Sequence, residues 1–193
     1  EVAGADQAVQ SGTFLWSTQP TSWLDAAIGI DDGTVAELTV AHDGYRRLNP
    51  GVTHFRRFRL DRADNILTVI DWIEGGAPVP VRLAFHLHPS LALQQEGGSA
   101  SIAADGVTLA SLRLPPGLTW QNHRGEASPP LGWYSPEFGE KVPSVALVGS
   151  GMLAPGERLE TRVAAGDAGT GRDRHAVMIG EVIRGTKAAR SAC

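Results

Sequence analysis

Apolar and polar residues alternate along most of this chain with a period of two. That spacing puts successive side chains on opposite faces of a β-strand. Across residues 79–88 the alternation is almost unbroken: Val79, Val81, Leu83, Phe85 and Leu87 face one way, and Arg82, His86 and His88 the other. Residues 158–164 set Leu159, Thr161 and Val163 against Arg158, Glu160 and Arg162, and residues 35–42 put Ala36, Leu38, Val40 and His42 on one face. Residues 66–73 are apolar on both faces, which suits a central strand covered on both sides. They follow 55–60 after the turn-rich Asp61-Arg62-Ala63-Asp64-Asn65, so the two segments are predicted to form an antiparallel hairpin. Asp105-Gly106 predicts a two-residue hairpin turn between strands at 101–104 and 107–114. Further strands are expected at 14–16, 26–30 and 145–148.

No stretch of adequate length carries an apolar stripe of helical period. Strand signals recur about every ten residues between Gly, Pro and Asp, the pattern of an all-β sandwich. The predicted fold is therefore a two-layer antiparallel β-sandwich over residues 1–165, with little or no helix. Residues 125–141 read as one long irregular excursion. Residues 166–193 read as a flexible connection, a possible last strand at 176–183 and a tail.

The chain has 193 residues, 42% apolar and 20% charged. That is ordinary for one folded domain and too apolar for a disordered chain. The longest apolar runs fall far short of the roughly 18 residues a membrane helix needs. A net charge of −4 argues against a strongly basic nucleic-acid binder. The one cysteine, Cys193, is the last residue, which excludes an internal disulfide and a Cys-based zinc site. The chain opens at Glu1-Val2 without Met or a basic-then-apolar leader. Glu1-Val2 reads like the middle of a strand, and an N-terminal region is expected before it. Arg46, Arg47, Arg56, Arg57, Arg59 and Arg62 crowd a short stretch. Arginine suits forked recognition of carboxylate or phosphate, although a solvated outer strand face explains the same cluster.

His86 and His88 lie two apart on one strand, roughly 7 Å apart at Cα, where two imidazoles can share a metal or flank an anion. His42 and Tyr45 are candidates for proton transfer at the end of another strand, and Arg46, Arg47 and Arg57 for neutralising an acidic sugar. Trp133 and Tyr134, in a loop, are candidates for stacking on sugar rings. Trp16, Trp23, Trp72 and Trp120 fall in or near strand patterns and are expected in the core. Each of these has a plain structural explanation as well: polar outer faces, a tight turn at Gly44, aromatics capping a sheet. There is no phosphate-binding loop, no Gly-x-Ser-x-Gly elbow and no His-Glu-x-x-His pattern.

Four motifs appear in order: His42-Asp43-Gly44-Tyr45, Gly51-Val52-Thr53-His54-Phe55-Arg56-Arg57, Ile70-Asp71-Trp72-Ile73-Glu74-Gly75 and His86-Leu87-His88-Pro89. Gly132-Trp133-Tyr134-Ser135-Pro136-Glu137-Phe138-Gly139-Glu140 follows them, and Gly4-Ala5-Asp6-Gln7 precedes them. Together, over residues 1–165, they resemble the C-terminal β-sandwich of the heparinase II/III family of polysaccharide lyases. The resemblance implies β-elimination on a uronic-acid polysaccharide, heparin-like or alginate-like. It implies an acidic polysaccharide and an N-terminal helical toroid as partners, with no nucleic acid and no membrane. A periplasmic or secreted location is implied too, as is structural zinc bound upstream of this chain. The family's catalytic Tyr and His and its zinc-ligand motifs do not occur here, and His86-Leu87-His88-Pro89 lacks the Ala-Asp that follows the family's His-x-His. No catalytic or metal residue is therefore carried over, and this portion is expected to be inactive alone. The residues themselves leave other functions open: a stand-alone carbohydrate-binding module built on Trp133 and Tyr134, an independent lyase using His42, Tyr45 and an Arg, or a purely structural module.

Overall fold

The computed structural model describes residues 1–13, 15–31 and 33–166. In chain order its strands are β1 (Val9–Gly12), β2 (Leu15–Thr18), β3 (Ser22–Ile28), β4 (Val35–His42), β5 (Val52–Asp61), β6 (Ile66–Gly75), β7 (Val79–His86), β8 (Ala92–Glu96) and β9 (Ser99–Ala104). There follow β10 (Val107–Arg113), β11 (Thr119–Arg124), β12 (Glu126–Ala127), β13 (Pro130–Leu131), β14 (Trp133–Tyr134), β15 (Val142–Pro143), β16 (Val145–Leu153) and β17 (Leu159–Ala165). An eight-stranded sheet of order β3-β4-β5-β6-β17-β10-β9-β8 faces a three-stranded sheet of order β11-β16-β7. Every pairing in both is antiparallel. The two-layer, all-β architecture is the one predicted.

The core lies where the inward residues of the two sheets meet. One cluster gathers Tyr45, Val52, Ile73, Val79, Val81, Leu153 and Leu159, and a second gathers Ala100, Leu112, Leu114 and Leu147, with Phe85 and Trp120 against them. β6 runs between β5 and β17. It is apolar on both faces because both are covered. Val69 and Ile73 point inward, while Trp72 on the outer face stacks on Phe55 at 5.1 Å and lies under the Arg158 guanidinium at 4.6 Å. Trp23 closes this outer cluster edge-on to Phe55 at 6.4 Å.

Both predicted hairpins form. β5 and β6 pair around Asp61↔Ile66, and β9 and β10 around Ala104↔Val107. Asp105 and Gly106 both take positive φ, 50° and 78°, as a type I′ turn requires. Other expectations need correction. β8 and β11 were not expected as strands. Each is the edge of its sheet, and an edge strand buries few side chains, so its sequence stays polar. Trp16 is not core: it stands 54% exposed on the small β1–β2 ribbon. The expected strand at 14–16 lies partly, and that at 176–183 wholly, outside the described residues. The excursion at 125–141 is less irregular than expected, since it carries the short ladders β12–β13 and β14–β15.

Thr161 on β17 is fully buried, and its Oγ1 has no hydrogen-bond partner among the described residues. An unmade buried hydrogen bond costs about 1–3 kcal/mol. Thr161→Val replaces the orphan oxygen with a methyl of similar shape. It is expected to stabilise the protein by about 1 kcal/mol, raising Tm by about 2–4 °C. Thermal unfolding checks this, and a lower Tm would show that the hydroxyl is bonded in solution.

Candidate functional site

The register of β4, β5 and β6 builds a polar cluster at one end of the sandwich. His42 ends β4 directly opposite His54, and Arg56 stands directly opposite Asp71. Because side chains alternate, His42, His54, Arg56 and Asp71 share the inner face. His42 Nε2 lies 3.0 Å from His54 Nδ1, and His54 Nε2 lies 2.7 Å from Asp71 Oδ1. Arg56 grips the same carboxylate with both arms, Nε to Oδ1 at 2.7 Å and Nη2 to Oδ2 at 3.1 Å. Such bidentate pairs fix both partners in orientation.

The backbone sets the tautomers. Gly44 N–H donates to His42 Nδ1 at 3.3 Å, so the His42 proton sits on Nε2 and is donated to His54. His54 then donates from Nε2 to Asp71. The cluster is a directed chain in which every ring nitrogen is already engaged. It borders a cavity of about 60 Å³ between the sheets, lined also by Tyr45, Arg82 and Glu1. Arg82 Nη2 reaches Glu1 Oε1 at 2.6 Å.

Burial, and next the neighbouring His54, push His42 down to about 4. Burial alone would push Asp71 up, but the His54 hydrogen bond and the Arg56 guanidinium outweigh it and hold the carboxyl below its ordinary range. Tyr45, 6% exposed and packed beside His42 at 5.2 Å, is pushed up to about 12, mainly by burial.

These directions predict acid sensitivity. The unfolded His42 takes a proton near 6.5, the folded one near 4. Between these values the unfolded state binds more protons, so stability falls as pH drops. Asp71 adds a second loss at lower pH, because its folded carboxyl must be protonated against its partners. The urea midpoint is expected to decline from pH 6.5 to 4, and His42→Gln to flatten that slope. An unchanged slope in the variant would contradict this assignment.

The other candidate residues are dispersed. Arg46 Nε donates to Thr53 Oγ1 at 2.8 Å. The Arg47 guanidinium is taken up by the carbonyls of Asp6, Gln7 and Gly44, tying the N-terminal segment to the β4–β5 loop. Arg57 lies on the outer face, bonded to Thr39 Oγ1 at 3.3 Å and set over Trp72. The arginines of β5 therefore do not all face outward: Arg56 points inward because the register places it over Asp71. His86 and His88 do not share a strand as expected: β7 ends at His86, away from the cluster, which meets this strand at Val81 and Arg82. His88 lies past the end of β7, where its Nδ1 meets Ser90 Oγ at 2.7 Å and its ring meets Tyr134 edge-on at 5.0 Å. Trp133 donates Nε1–H to Glu126 O at 2.7 Å and is capped by Lys141 Nζ at 4.2 Å, while Tyr134 is 39% exposed.

His54 and Asp71 were not among the sequence-derived candidates, and Arg56 stood only as one of the clustered arginines, although the predicted β5–β6 hairpin carried the signal. Counting back from the turn pairs Arg56 with Asp71. As a zinc site the cluster does not fit. Its facing nitrogens are at hydrogen-bond distance with no room for an ion between them, and among the described residues no group of three His, Cys, Asp or Glu could hold a metal.

Comparison with known proteins places the chain. Residues 1–175 match the family model described as Heparinase II/III-like, C-terminal. No curated protein matches. Among solved structures, the fold is similar to the heparan sulfate lyase HepC from Pedobacter heparinus, with a TM-score of 0.58 at 14% identity, covering 77% of this chain and 22% of that one. It is similar to a structure titled Heparinase III, TM-score 0.58 at 12% identity, covering 77% of this chain and 21% of the other. It is also similar to the heparinase III product of the BT4657 gene, TM-score 0.53 at 13% identity, covering 77% and 21%. The chain thus spans about a fifth of the length of these structures.

Proposed function

The chain belongs to the heparinase II/III-like C-terminal family, and from that premise we propose that it is the β-sandwich portion of a polysaccharide lyase. The lyase acts by β-elimination on a uronic-acid-containing polysaccharide, heparan sulfate-like or alginate-like. This portion supports the chemistry and does not perform it. The observation that carries the reading is one of extent. The chain matches the family model almost throughout, yet corresponds to 22% of a heparan sulfate lyase.

The chemistry agrees with a supporting role. β-Elimination needs a neutralised carboxylate, a base for the sugar C–H proton and an acid for the leaving oxygen. In the polar cluster His42 and His54 have both nitrogens engaged, Arg56 is committed to Asp71, and Tyr45 is core. What the cluster provides is a rigid sheet end that fixes β4, β5 and β6 and, through Arg47, the segment before β1. The partner is a helical toroid preceding this portion, the location periplasmic or secreted, and any structural zinc is held outside this chain.

The unsaturated uronate formed by β-elimination absorbs in the ultraviolet. Incubation with heparan sulfate, heparin, alginate and hyaluronan is expected to give no absorbance rise with this chain. A rise is expected when the chain is joined to its upstream coding sequence. Product from the 193-residue chain alone would overturn the supporting role. Silence of both proteins on every polymer would overturn the lyase reading.

A further inference from the structure

The outer face of the eight-stranded sheet, away from β7, β11 and β16, holds a groove of about 780 Å³. It crosses β17, β10, β9 and β8. In one cross-strand row Ala164, Ser111, Ser101 and Gln94 stand opposite one another in turn, and in the next Arg162, Arg113, Ser99 and Glu96 do the same. The alternate residues Val163, Leu112 and Ala100 point the other way, into the core. Small side chains in the first row leave the space, and the two arginines rise beside it.

Arg113 and Arg162 are directly opposite across β10 and β17. Like charges in that position repel and weaken the sheet. Other arginines of this sheet are compensated: Arg56 by Asp71, and Arg59 by Glu37 and Asp61. Among the described residues the side chains of Arg113 and Arg162 make no ion pair or hydrogen bond, and both residues are exposed. Glu96, at the far end of the same row, Glu160, two residues before Arg162, and Asp61, which joins the first row through Ile66, are acids near the groove on this face, and none pairs with them. The groove is open to solvent along the sheet face, a shape that admits a segment of an extended chain. No aromatic residue lines it, so it offers no stacking platform for a neutral sugar.

We infer that this groove is a second, non-catalytic site for an acidic saccharide segment. Arg113 and Arg162 clamp one sulfate or carboxylate of the sugar chain. The hydroxyls of Ser99, Ser101 and Ser111 and the Gln94 amide meet sugar hydroxyls. Binding removes the repulsion that the empty pair carries. The choice of a saccharide rests on the lyase reading; the preference for an oxyanion rests on the arginine pair alone.

Titration calorimetry of the 193-residue chain with a size-defined heparin oligosaccharide, and separately with an alginate oligosaccharide, tests this. Heparin carries sulfates as well as carboxylates and alginate carboxylates alone, so the pair of ligands distinguishes the two oxyanions. Arg113→Gln with Arg162→Gln is expected to weaken the bound oligosaccharide at least about tenfold and to reduce the salt dependence. Glu96→Gln is expected to tighten it, and Arg124→Gln, on β11 of the other sheet, to leave it unchanged. Binding undiminished in the double variant, or no binding of either oligosaccharide, would overturn the inference. The elimination assay separates the two readings. Product from the extended protein without binding here removes only the groove, whereas arginine-dependent binding with no product removes only the lyase.

Discussion

Asp71→Ala is expected to remove about 3 kcal/mol of unfolding free energy, the low end of the cost of breaking a buried ion pair from one side, because Asp71 is buried while the Arg56 side chain stays 35% exposed. The Asp71 side chain is only 6% exposed, and it accepts from His54 Nε2 and from both arms of Arg56. Truncation leaves the half-buried Arg56 guanidinium without a counter-charge and His54 without its acceptor. It also frees the hydrogen-bonded chain that orients His42. Asp71→Leu combined with Arg56→Met removes both charges and fills the space. It is expected to recover most of the loss, because an apolar pair of similar volume substitutes well for a buried ion pair. Urea unfolding of the three proteins checks this. A loss under about 1 kcal/mol for Asp71→Ala would place the pair with ordinary surface salt bridges.

Gly132→Ala is expected to cost about 3 kcal/mol and to release the loop that carries Trp133 and Tyr134. Gly132 has φ of 71°. A Cβ there would lie 2.7 Å from Arg124 Cα, 2.7 Å from His123 O and 2.8 Å from Ser144 O. All three are backbone atoms of β11 or the approach to β16, so none can swing aside. The Gly132 carbonyl also accepts from Gly125 N at 2.8 Å and Ser144 N at 2.9 Å. The glycine is therefore the knot that ties the loop to the small sheet. Near-ultraviolet circular dichroism, which reports fixed Trp133 packing, is expected to change together with Tm. An unchanged spectrum and Tm would show that the loop is anchored elsewhere.

Much of this architecture was legible in the alternation of residues, because burial on one face writes itself as period two. β7 and β17 show it plainly, and the two-sided apolarity of β6 anticipated its central place. β8 and β11 stayed hidden because Gln94, Gln95, Gln121 and Asn122 sit on edge strands that bury little. Trp16 misled for the opposite reason: apolarity states a preference, but whether a strand is covered depends on the other layer. The site was half legible. His42 and Tyr45 stood out by type, whereas His54, Arg56 and Asp71 matter through register. Their significance appears only when the β5–β6 turn is counted back to the Arg56–Asp71 pair. The opposed Arg113 and Arg162 come from distant strands, β10 and β17, whose adjacency no local pattern gives.

The polar end of this sandwich is a closed hydrogen-bonded chain that serves geometry, with neither imidazole free for substrate. Nitrogen-15 NMR of the histidine side chains against pH tests it most directly. His42 and His54 are both expected to carry their neutral-state proton on Nε2, and His42 to stay neutral until the pH falls to about 4. A His42 that takes its proton near 6.5, or carries it on Nδ1, would contradict the claim by showing an open imidazole able to act as a base.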